Sequence, residues 1–419
     1  MLHRRHLLQR LALLGAAGLA PRLARARAGV AAGTDLRFVF VMAQGGWDTT
    51  RVFVPPWDTP GAAVERDAVR ATTGGVTWVD HPERPAVRAF MTRWAGEAVL
   101  LNGMLVRSIA HDPCRRILLT GVPSGDIADW PAILAAEARE TYVLPHVVLG
   151  GPSFAGDLGA GVARTGAYGQ LDALLTGDAL DGLEQAVTPL PGPAHALVDR
   201  WLARRGPAFA AGETSVRGRA LARAWEDARG RAVDLQDLAW TLSLGQAADM
   251  AGKVALACEL LSQGIARCVS LDTGGGSLVW DTHSDNDVRQ TPLWDSMCAG
   301  LSQLMEGLAR TPGVSAPRLL DETCVVVLSE MGRTPALNAA NGKDHWPSTS
   351  ALMLGAGITS GRVIGGHDET FGGRAIDPRT GALDAAGVVP TAQMLGASLL
   401  ALGDVDPEAW DREAPTLAL

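Results

Sequence analysis

The chain has 419 residues, with 37 Lys and Arg against 45 Asp and Glu, and a formal net charge of −8. Its first 28 residues hold six arginines and no acid, so the rest of the chain carries −14. A protein this acidic lacks the basic footprint that nucleic acids need, and anionic membrane surfaces should repel it. A composition of 47% hydrophobic and 20% charged residues is typical of a globular protein. No apolar run after the N-terminus is long enough to predict a transmembrane anchor.

The N-terminus has the organisation of a twin-arginine (Tat) export signal. Arg4 and Arg5 precede an apolar stretch over residues 11–20, and Ala26-Arg27-Ala28 places small residues at the −3 and −1 positions of a cleavage site. This order predicts a signal peptide over residues 1–28, with the Tat translocase as a transient partner and a periplasmic or secreted location. The alternative is a basic amphipathic helix of a cytosolic protein.

The remaining chain alternates apolar runs with helical patterns. The predicted strands are 37–42, 98–101, 146–149, 268–271, 323–328 and 351–354, and the predicted helices are 85–94, 114–120, 131–140, 247–264, 293–308 and 391–402. Because the strands are continuous apolar runs, they predict a mostly parallel sheet covered on both faces. From 157 to 236 the strand signals fade, and Ala, Arg and Leu recur at helical spacing. We interpret that segment as a helical insertion or cap within a single α/β domain over 29–419.

Polar clusters follow three of the predicted strands. Asp48 follows the first strand, Asp281 and His283 follow the strand at 268–271, and the strand at 323–328 leads into a segment with Glu330 and Asp344. Ligands of parallel sheets bind beyond the carboxyl ends of the strands, and carboxylates with imidazoles suit a divalent metal. No G-x-x-x-x-G-K-[ST] loop and no G-x-S-x-G elbow occurs, which argues against a nucleotide site and an α/β-hydrolase.

The five cysteines show no C-x-x-C spacing, so a zinc ribbon or a thioredoxin-type motif is not expected. Cys258, Cys268 and Cys324 lie in apolar runs and are interpreted as buried, inert thiols.

Four blocks together carry a family resemblance. They are Gly45-Gly46-Trp47-Asp48, Trp280-Asp281-Thr282-His283, Ser329-Glu330-Met331-Gly332-Arg333-Thr334-Pro335 and Gly342-Lys343-Asp344-His345-Trp346. They resemble the signature blocks of the Tat-exported bacterial family known as domain of unknown function 1501, over nearly the whole chain. This family looks like a branch of the alkaline phosphatase and sulfatase superfamily. The resemblance implies a three-layer α/β/α sandwich with two metals at the strand ends.

The resemblance assigns roles position by position. Asp48 matches a ligand of the second metal, and Asp281 with His283 resembles the pair that binds the first metal. The segment from His111 to Gly121 resembles the sulfatase stretch C-x-P-S-R-x-x-L-L-T-G, which puts His111 where a Cys, Ser or Thr nucleophile is expected. Glu330-Met331-Gly332 falls where D-H-G is expected, and Asp344-His345 resembles the D-H that supplies the last histidine.

Two departures from the pattern bear on the chemistry. Met331 replaces a histidine ligand and His111 replaces the nucleophile, so a covalent intermediate on a hydroxyl is not expected. Asp281, His283 and His345 would form a three-ligand site with an open position for water, the layout of a catalytic zinc, with manganese or calcium as alternatives. His111 would then be a further ligand or a general base.

Each assignment has a structural alternative. Asp48 could cap a turn, and Asp281 with His283 could brace a loop. Glu330 with Arg333 could form a buried ion pair, although Arg333 could instead clamp an anionic substrate. Asp344 could support a histidine rather than bind metal. The tryptophans beside these residues (Trp47, Trp280 and Trp346) are expected to be core packing.

The sequence thus predicts an exported, metal-dependent hydrolase of phosphate or sulfate esters. The alternative is a non-catalytic binding or assembly protein of the cell envelope that kept the fold and lost the nucleophile.

Overall fold

The computed structural model describes residues 36–124, 127–138, 142–165, 192–238, 249–274 and 278–419. The predicted signal peptide, and residues 166–191 of the predicted cap, lie outside the described residues.

Twelve strands and eight α-helices occur in the described residues. The strands are β1 (Arg37–Met42), β2 (Val69–Thr73), β3 (Val76–Asp80), β4 (Ala98–Leu105), β5 (His146–Val148), β6 (Val162–Arg164), β7 (Cys268–Asp272), β8 (Thr323–Leu328), β9 (Gly332–Arg333), β10 (His345–Trp346), β11 (Ser348–Gly355) and β12 (Arg362–Gly365). The helices are α1 (Pro85–Trp94), α2 (His111–Thr120), α3 (Trp130–Glu137), α4 (Gly192–Gly212), α5 (Val216–Leu238), α6 (Met250–Ser262), α7 (Asn286–Arg310) and α8 (Ala392–Leu402).

Eight strands form the central sheet in the order β12-β4-β11-β8-β1-β7-β5-β6. β11 runs antiparallel to its neighbours β4 and β8, and the other pairings are parallel. The prediction of a mostly parallel sheet is therefore confirmed. β8, β1 and β7 are adjacent and parallel, so the loops that follow them emerge at one edge.

The central strand β1 shows why the sheet is covered on both faces. Phe38, Phe40 and Met42 point into one apolar layer, whereas Val39 and Val41 point into the other, and all five are buried. Helices α2, α3 and α8 pack on the first face, and α1, α6 and α7 pack on the second. The predicted three-layer α/β/α sandwich is confirmed.

The structure corrects some predicted boundaries. Strand β6 joins the central sheet although it lies inside the segment interpreted as a helical cap, whose later part does form α4 and α5. Helix α2 begins at His111 rather than at 114. Pro113 lies in the first turn, where backbone N–H groups have no acceptor within the helix, so a residue without an N–H is tolerated there. This start places His111 at the first turn of a helix.

The search for membrane spans gave a negative result: among the described residues, none of the helices has both the length and the apolar character needed to cross a bilayer.

Candidate metal centre

The candidate site lies at the edge where β8, β1 and β7 end. The loop after β1 is fastened to the loop after β8 by Ser329, whose hydroxyl accepts from the Trp47 N–H at 3.0 Å and donates to the Ala43 carbonyl at 2.7 Å. The short antiparallel pair β9–β10 sets His345 opposite Arg333. The chain thus brings together segments that lie more than 200 residues apart in sequence.

Two glycines allow the loops to approach closely enough. Gly45 has a φ of +116°, and a Cβ there would lie 2.6 Å from the backbone nitrogen of Asp281. At Gly342 a Cβ would lie 2.0 Å from the carbonyl carbon of His283. Any other residue at either position would push a candidate ligand away from the edge.

The Asp281 carboxylate is the centre of the cluster. Its Oδ1 accepts from Arg333 Nη2 at 2.7 Å and lies 3.2 Å from both His283 Nε2 and His345 Nε2. Its Oδ2 lies 3.4 Å from His111 Nε2. Burial alone would raise the pKa of Asp281, but the hydrogen bond and the charge of Arg333 outweigh it and lower the pKa to about 2. The carboxylate is therefore ionised at neutral pH.

Each of the three imidazoles is anchored through its Nδ1. His111 Nδ1 contacts Glu330 Oε1 at 3.0 Å, and His283 Nδ1 contacts Asp344 Oδ1 at 2.9 Å. His345 Nδ1 donates to the Ile109 carbonyl at 2.6 Å. Because all three partners are acceptors, each Nδ1 carries the proton, which leaves the Nε2 lone pairs pointing inward. Partners of this kind usually fix the orientation of metal-binding histidines.

Among the described residues, these inward-facing atoms have acceptors opposite them and no donor other than Arg333. The Nε2 atoms of His283 and His345 lie 3.0 Å apart, and the buried His111 Nε2 has no hydrogen-bond partner. Burial lowers the pKa of His345, so its ring stays neutral and cannot supply a second proton. Tetrahedral zinc at about 2.05 Å holds its ligand atoms about 3.3 Å apart, which matches the contacts of 3.0–3.4 Å. His111, Asp281 and His345 each offer a ligand atom within 4.8 Å of the others, which fits a divalent cation, and His283 lies beside this group with its Nε2 3.0 Å from that of His345.

Asp48 is not part of this cluster. It is fully buried and pairs with Lys343 Nζ at 2.8 Å and Arg51 Nε at 3.1 Å, and it accepts from Asn286 Nδ2 at 2.8 Å. It also caps the short helical turn over 49–51 by accepting from the Thr50 N–H at 3.1 Å. Protein cations and donors thus surround the carboxylate, which also caps a turn as the alternative expects, and the assignment of Asp48 to a second metal stays a prediction.

Glu330 and Asp344 lie behind histidines rather than at the point where the Nε2 atoms meet. Glu330 is fully buried, contacts His111 and accepts from the Gly45 N–H at 2.8 Å. Asp344 supports His283, as the alternative for Asp344 anticipates. Each carboxylate contacts the Nδ1 atom of its histidine, and the assignment of Glu330 and Asp344 as metal ligands stays a prediction.

Arg333 is fully buried. Its guanidinium donates to the carbonyls of Gly45, Gly46 and Lys343 as well as to Asp281. The ion pair that the described residues form is with Asp281 rather than with Glu330, and a role of Arg333 as an anion clamp stays a prediction. Arg333 instead ties the ends of three loops to Asp281.

The remaining predicted side chains are structural. Trp47 and Trp280 are fully buried, and Trp47 stacks on Trp294 with ring centroids 5.2 Å apart. Met331 packs with Cys114 and Val106. All five thiols are free and buried, and burial raises the pKa of Cys114 to about 11.

Sequence reasoning missed Lys343, which occupies the space beside Asp48. The sequence indicated Lys343 only in that it is one of two lysines in the chain and lies between two motif residues. The Ile109 carbonyl was also missed, since a backbone acceptor leaves no mark in a sequence.

Comparisons with known proteins give a match to one family model over part of the chain and a set of distantly similar solved structures. Residues 213–382 match the family model described as "Protein of unknown function (DUF1501)", which confirms the predicted family resemblance over that segment. Asp281, His283, Glu330, Arg333, Asp344 and His345 lie inside it. A search of curated proteins finds no match.

The similar solved structures are distant in sequence. An alkaline phosphatase superfamily protein from Vibrio parahaemolyticus is 10% identical, with a TM-score of 0.38 over 88% of this chain and 67% of that one. The PsFucS1 sulfatase from a Pseudoalteromonas species is 11% identical, with a TM-score of 0.38 over 91% and 70%. A phosphonate monoester hydrolase of Agrobacterium radiobacter is 13% identical, with a TM-score of 0.31 over 91% and 78%.

Proposed function

We propose that the protein is an exported metalloprotein that binds one divalent cation and hydrolyses an anionic ester of the phosphate or sulfate class. The observation that carries the proposal is the set of three Nδ1-anchored imidazoles whose Nε2 atoms face Asp281 without donors between them. Without a cation, the unprotonated Nε2 atoms of the imidazoles would face the Asp281 carboxylate, and their lone pairs would repel its negative charge.

The ligand set favours zinc. Three imidazole nitrogens and one carboxylate oxygen suit zinc, whereas calcium takes six to eight oxygen ligands and manganese prefers carboxylate and water. His111, Asp281, His283 and His345 would hold the ion, and Glu330 and Asp344 would keep two of the rings in place.

A bound cation of this kind would polarise an ester oxygen and lower the pKa of water. The chain's own contribution is positioning. His111 and Arg115 are four residues apart on α2 and so share a helix face, which adds a cationic side chain and the helix N-terminus beside the cluster. Arg115 is partly exposed and pairs with Asp112 at 2.7 Å. These features suit an anionic substrate.

A second candidate is a binding or assembly protein of the cell envelope whose metal is structural. Structural zinc sites have four protein ligands, whereas catalytic zinc keeps one position for water. The presence of four candidate ligands favours this reading if all four bind at once. It predicts metal that is tightly held and no turnover.

Elemental analysis of the purified protein is the first test. One zinc per chain is expected, and His345→Ala should remove it while His81→Ala, a histidine outside the cluster, should keep it. A protein that takes up no divalent cation at micromolar zinc would refute the proposal. Hydrolysis of aryl phosphate or sulfate that Asp281→Ala abolishes would decide for the enzyme over the binding protein.

Export is tested separately. The proposal expects mature protein that begins at Gly29 in the periplasm or the medium. Replacing Arg4 and Arg5 by Lys should retain the precursor in the cytoplasm, because Tat signals depend on the arginine pair. An uncleaved cytoplasmic wild-type protein would contradict this part of the proposal.

A further inference from the structure

The four candidate ligands are held with unequal firmness. Three of them are largely shielded from solvent: the side chains of His111, Asp281 and His345 are 15%, 23% and 20% exposed. Glu330 and Arg333, which support His111 and Asp281, are fully buried, whereas His345 is supported by the backbone carbonyl of the exposed Ile109. Movement of His111 or Asp281 would leave a buried charge without its partner, and movement of the largely shielded His345 ring would remove its Nε2 from the Asp281 carboxylate.

His283 is different. Its side chain is 48% exposed, and its support Asp344 is 58% exposed. Asp344 in turn accepts from Asn338 Nδ2 at 3.2 Å, a contact that is also exposed. Water can replace each of these hydrogen bonds at little cost, so His283 can leave its position without burying an unpaired group.

Because the proposed site has four protein ligands, the greater exposure of His283 affects how an anion could bind. Zinc bound by three imidazoles and a carboxylate is already four-coordinate, so an anion can bind only if the site expands or one ligand leaves. The ligand that is least costly to remove is the exposed one. Its departure also opens the side of the cluster that faces solvent.

We propose that His283 is a displaceable ligand and that an oxyanion, such as the phosphate or sulfate group of a substrate, takes its place. This inference rests on the proposed metal site. In the exchange, His283 Nε2 would leave a bound cation and an anion oxygen would take its position, and no proton would have to move. His283 keeps its Nδ1 contact with Asp344 or passes into solvent. The site thus alternates between a closed form with four protein ligands and an open form with three.

Cobalt(II) in place of zinc makes the exchange visible, because the intensity of its visible absorption reports coordination number. The experiment compares wild type, His283→Ala and His345→Ala, with inorganic phosphate as the probe. His283→Ala should keep one cobalt per chain with an affinity about tenfold lower, whereas His345→Ala should lose at least about 100-fold. Phosphate should bind cobalt-loaded His283→Ala about tenfold or more tightly than wild type, since no ligand has to be displaced.

Each outcome separates the inference from the proposed function. If wild type takes up no cobalt or zinc, the metal site itself is wrong. If wild type binds metal but His283→Ala loses it as completely as His345→Ala, or both proteins bind phosphate equally, His283 is not displaceable. Asp344→Asn is the second variant: it keeps the His283 ring, and an intermediate gain in phosphate affinity is expected because only the support is weakened. No gain in that variant would also count against the inference.

Discussion

The ion pair between Asp48 and Lys343 separates a structural role of Asp48 from a metal-binding one. Both side chains are fully buried, and removing one partner of a buried pair typically costs about 3–5 kcal/mol. The two partners should not be equivalent. Without Lys343, Asp48 still contacts Arg51, Asn286 and Thr50, whereas without Asp48 the hydrogen bond that the ammonium keeps within the described part of the chain is to the Thr50 hydroxyl at 2.9 Å. We therefore expect about 3 kcal/mol for Lys343→Met and about 5 kcal/mol for Asp48→Ala.

The assay is guanidinium chloride unfolding of the EDTA-treated protein, followed by tryptophan fluorescence. The double variant Asp48→Ala/Lys343→Met should be less destabilised than the sum of the singles by about 2 kcal/mol or more, because neither charge is left unpaired. The reasoning fails if Asp48→Ala costs under about 1 kcal/mol in metal-free protein and yet abolishes zinc binding. That result would make Asp48 a ligand.

The same pair has a pH signature with a defined sign. Burial alone would raise the pKa of Asp48, but Lys343 and Arg51 outweigh it and hold the pKa far below its usual value. A carboxyl with a depressed folded-state pKa contributes its stability above the unfolded-state pKa of about 3.9 and loses it as the pH falls further. The stability gap between wild type and Asp48→Asn should therefore be constant from pH 7 to 5 and shrink below about pH 4. A gap that widens on acidification would contradict this.

Three further changes test the supports of the site and its surroundings. Glu330→Gln removes the carboxylate behind His111, so zinc affinity measured by chelator competition should fall about 10–100-fold while the fold persists. An unchanged affinity would show that this contact does not orient the His111 ring. Arg333→Lys cannot reach its several carbonyl partners at once and should cost about 3 kcal/mol or more in chemical unfolding, and a smaller loss would contradict its role as a tie between loops. Burial raises the pKa of the Cys258 thiol to about 11 and that of Cys324 to about 12, so native protein at pH 8 should not react with a thiol reagent until it is unfolded; rapid labelling of native protein would contradict their burial.

The layers of the fold were predictable because their cause is local. A run such as that of β1 can be buried only between two helical layers, and its residues carry that information themselves. The direction of β11 was not predictable, because an apolar run is the same read either way. Its antiparallel course depends on a connection through the β9–β10 pair.

The site was predictable in its residues and less so in their roles. Strand ends indicated Asp281, His283 and His345, since sequence periodicity locates strands and parallel strands share an edge. The partners of Glu330 and Arg333 could not be inferred from the sequence. The two residues are three positions apart, yet Glu330 contacts His111 on α2 and Arg333 contacts Asp281 in the loop after β7. These contacts depend on the conformations of the loops. Glycines such as Gly45 permit those conformations, but no sequence motif specifies them.

The charges at this edge argue for one cation rather than two. Around Asp48 the ionised groups balance, with three acids facing three bases: Asp48, Glu65 and Asp287 against Arg51, Arg84 and Lys343. Around Asp281 they do not: among the described residues, Arg333 is the one permanent cation that pairs with Asp281, whereas Glu330 and Asp344 contact the neutral rings of His111 and His283. A dication would neutralise the excess negative charge around Asp281. Around Asp48 it would add a double positive charge that no acid balances, which is costly in a buried site. Equilibrium dialysis should saturate at one zinc per chain, and a second tight equivalent that depends on Asp48 would overturn this assignment.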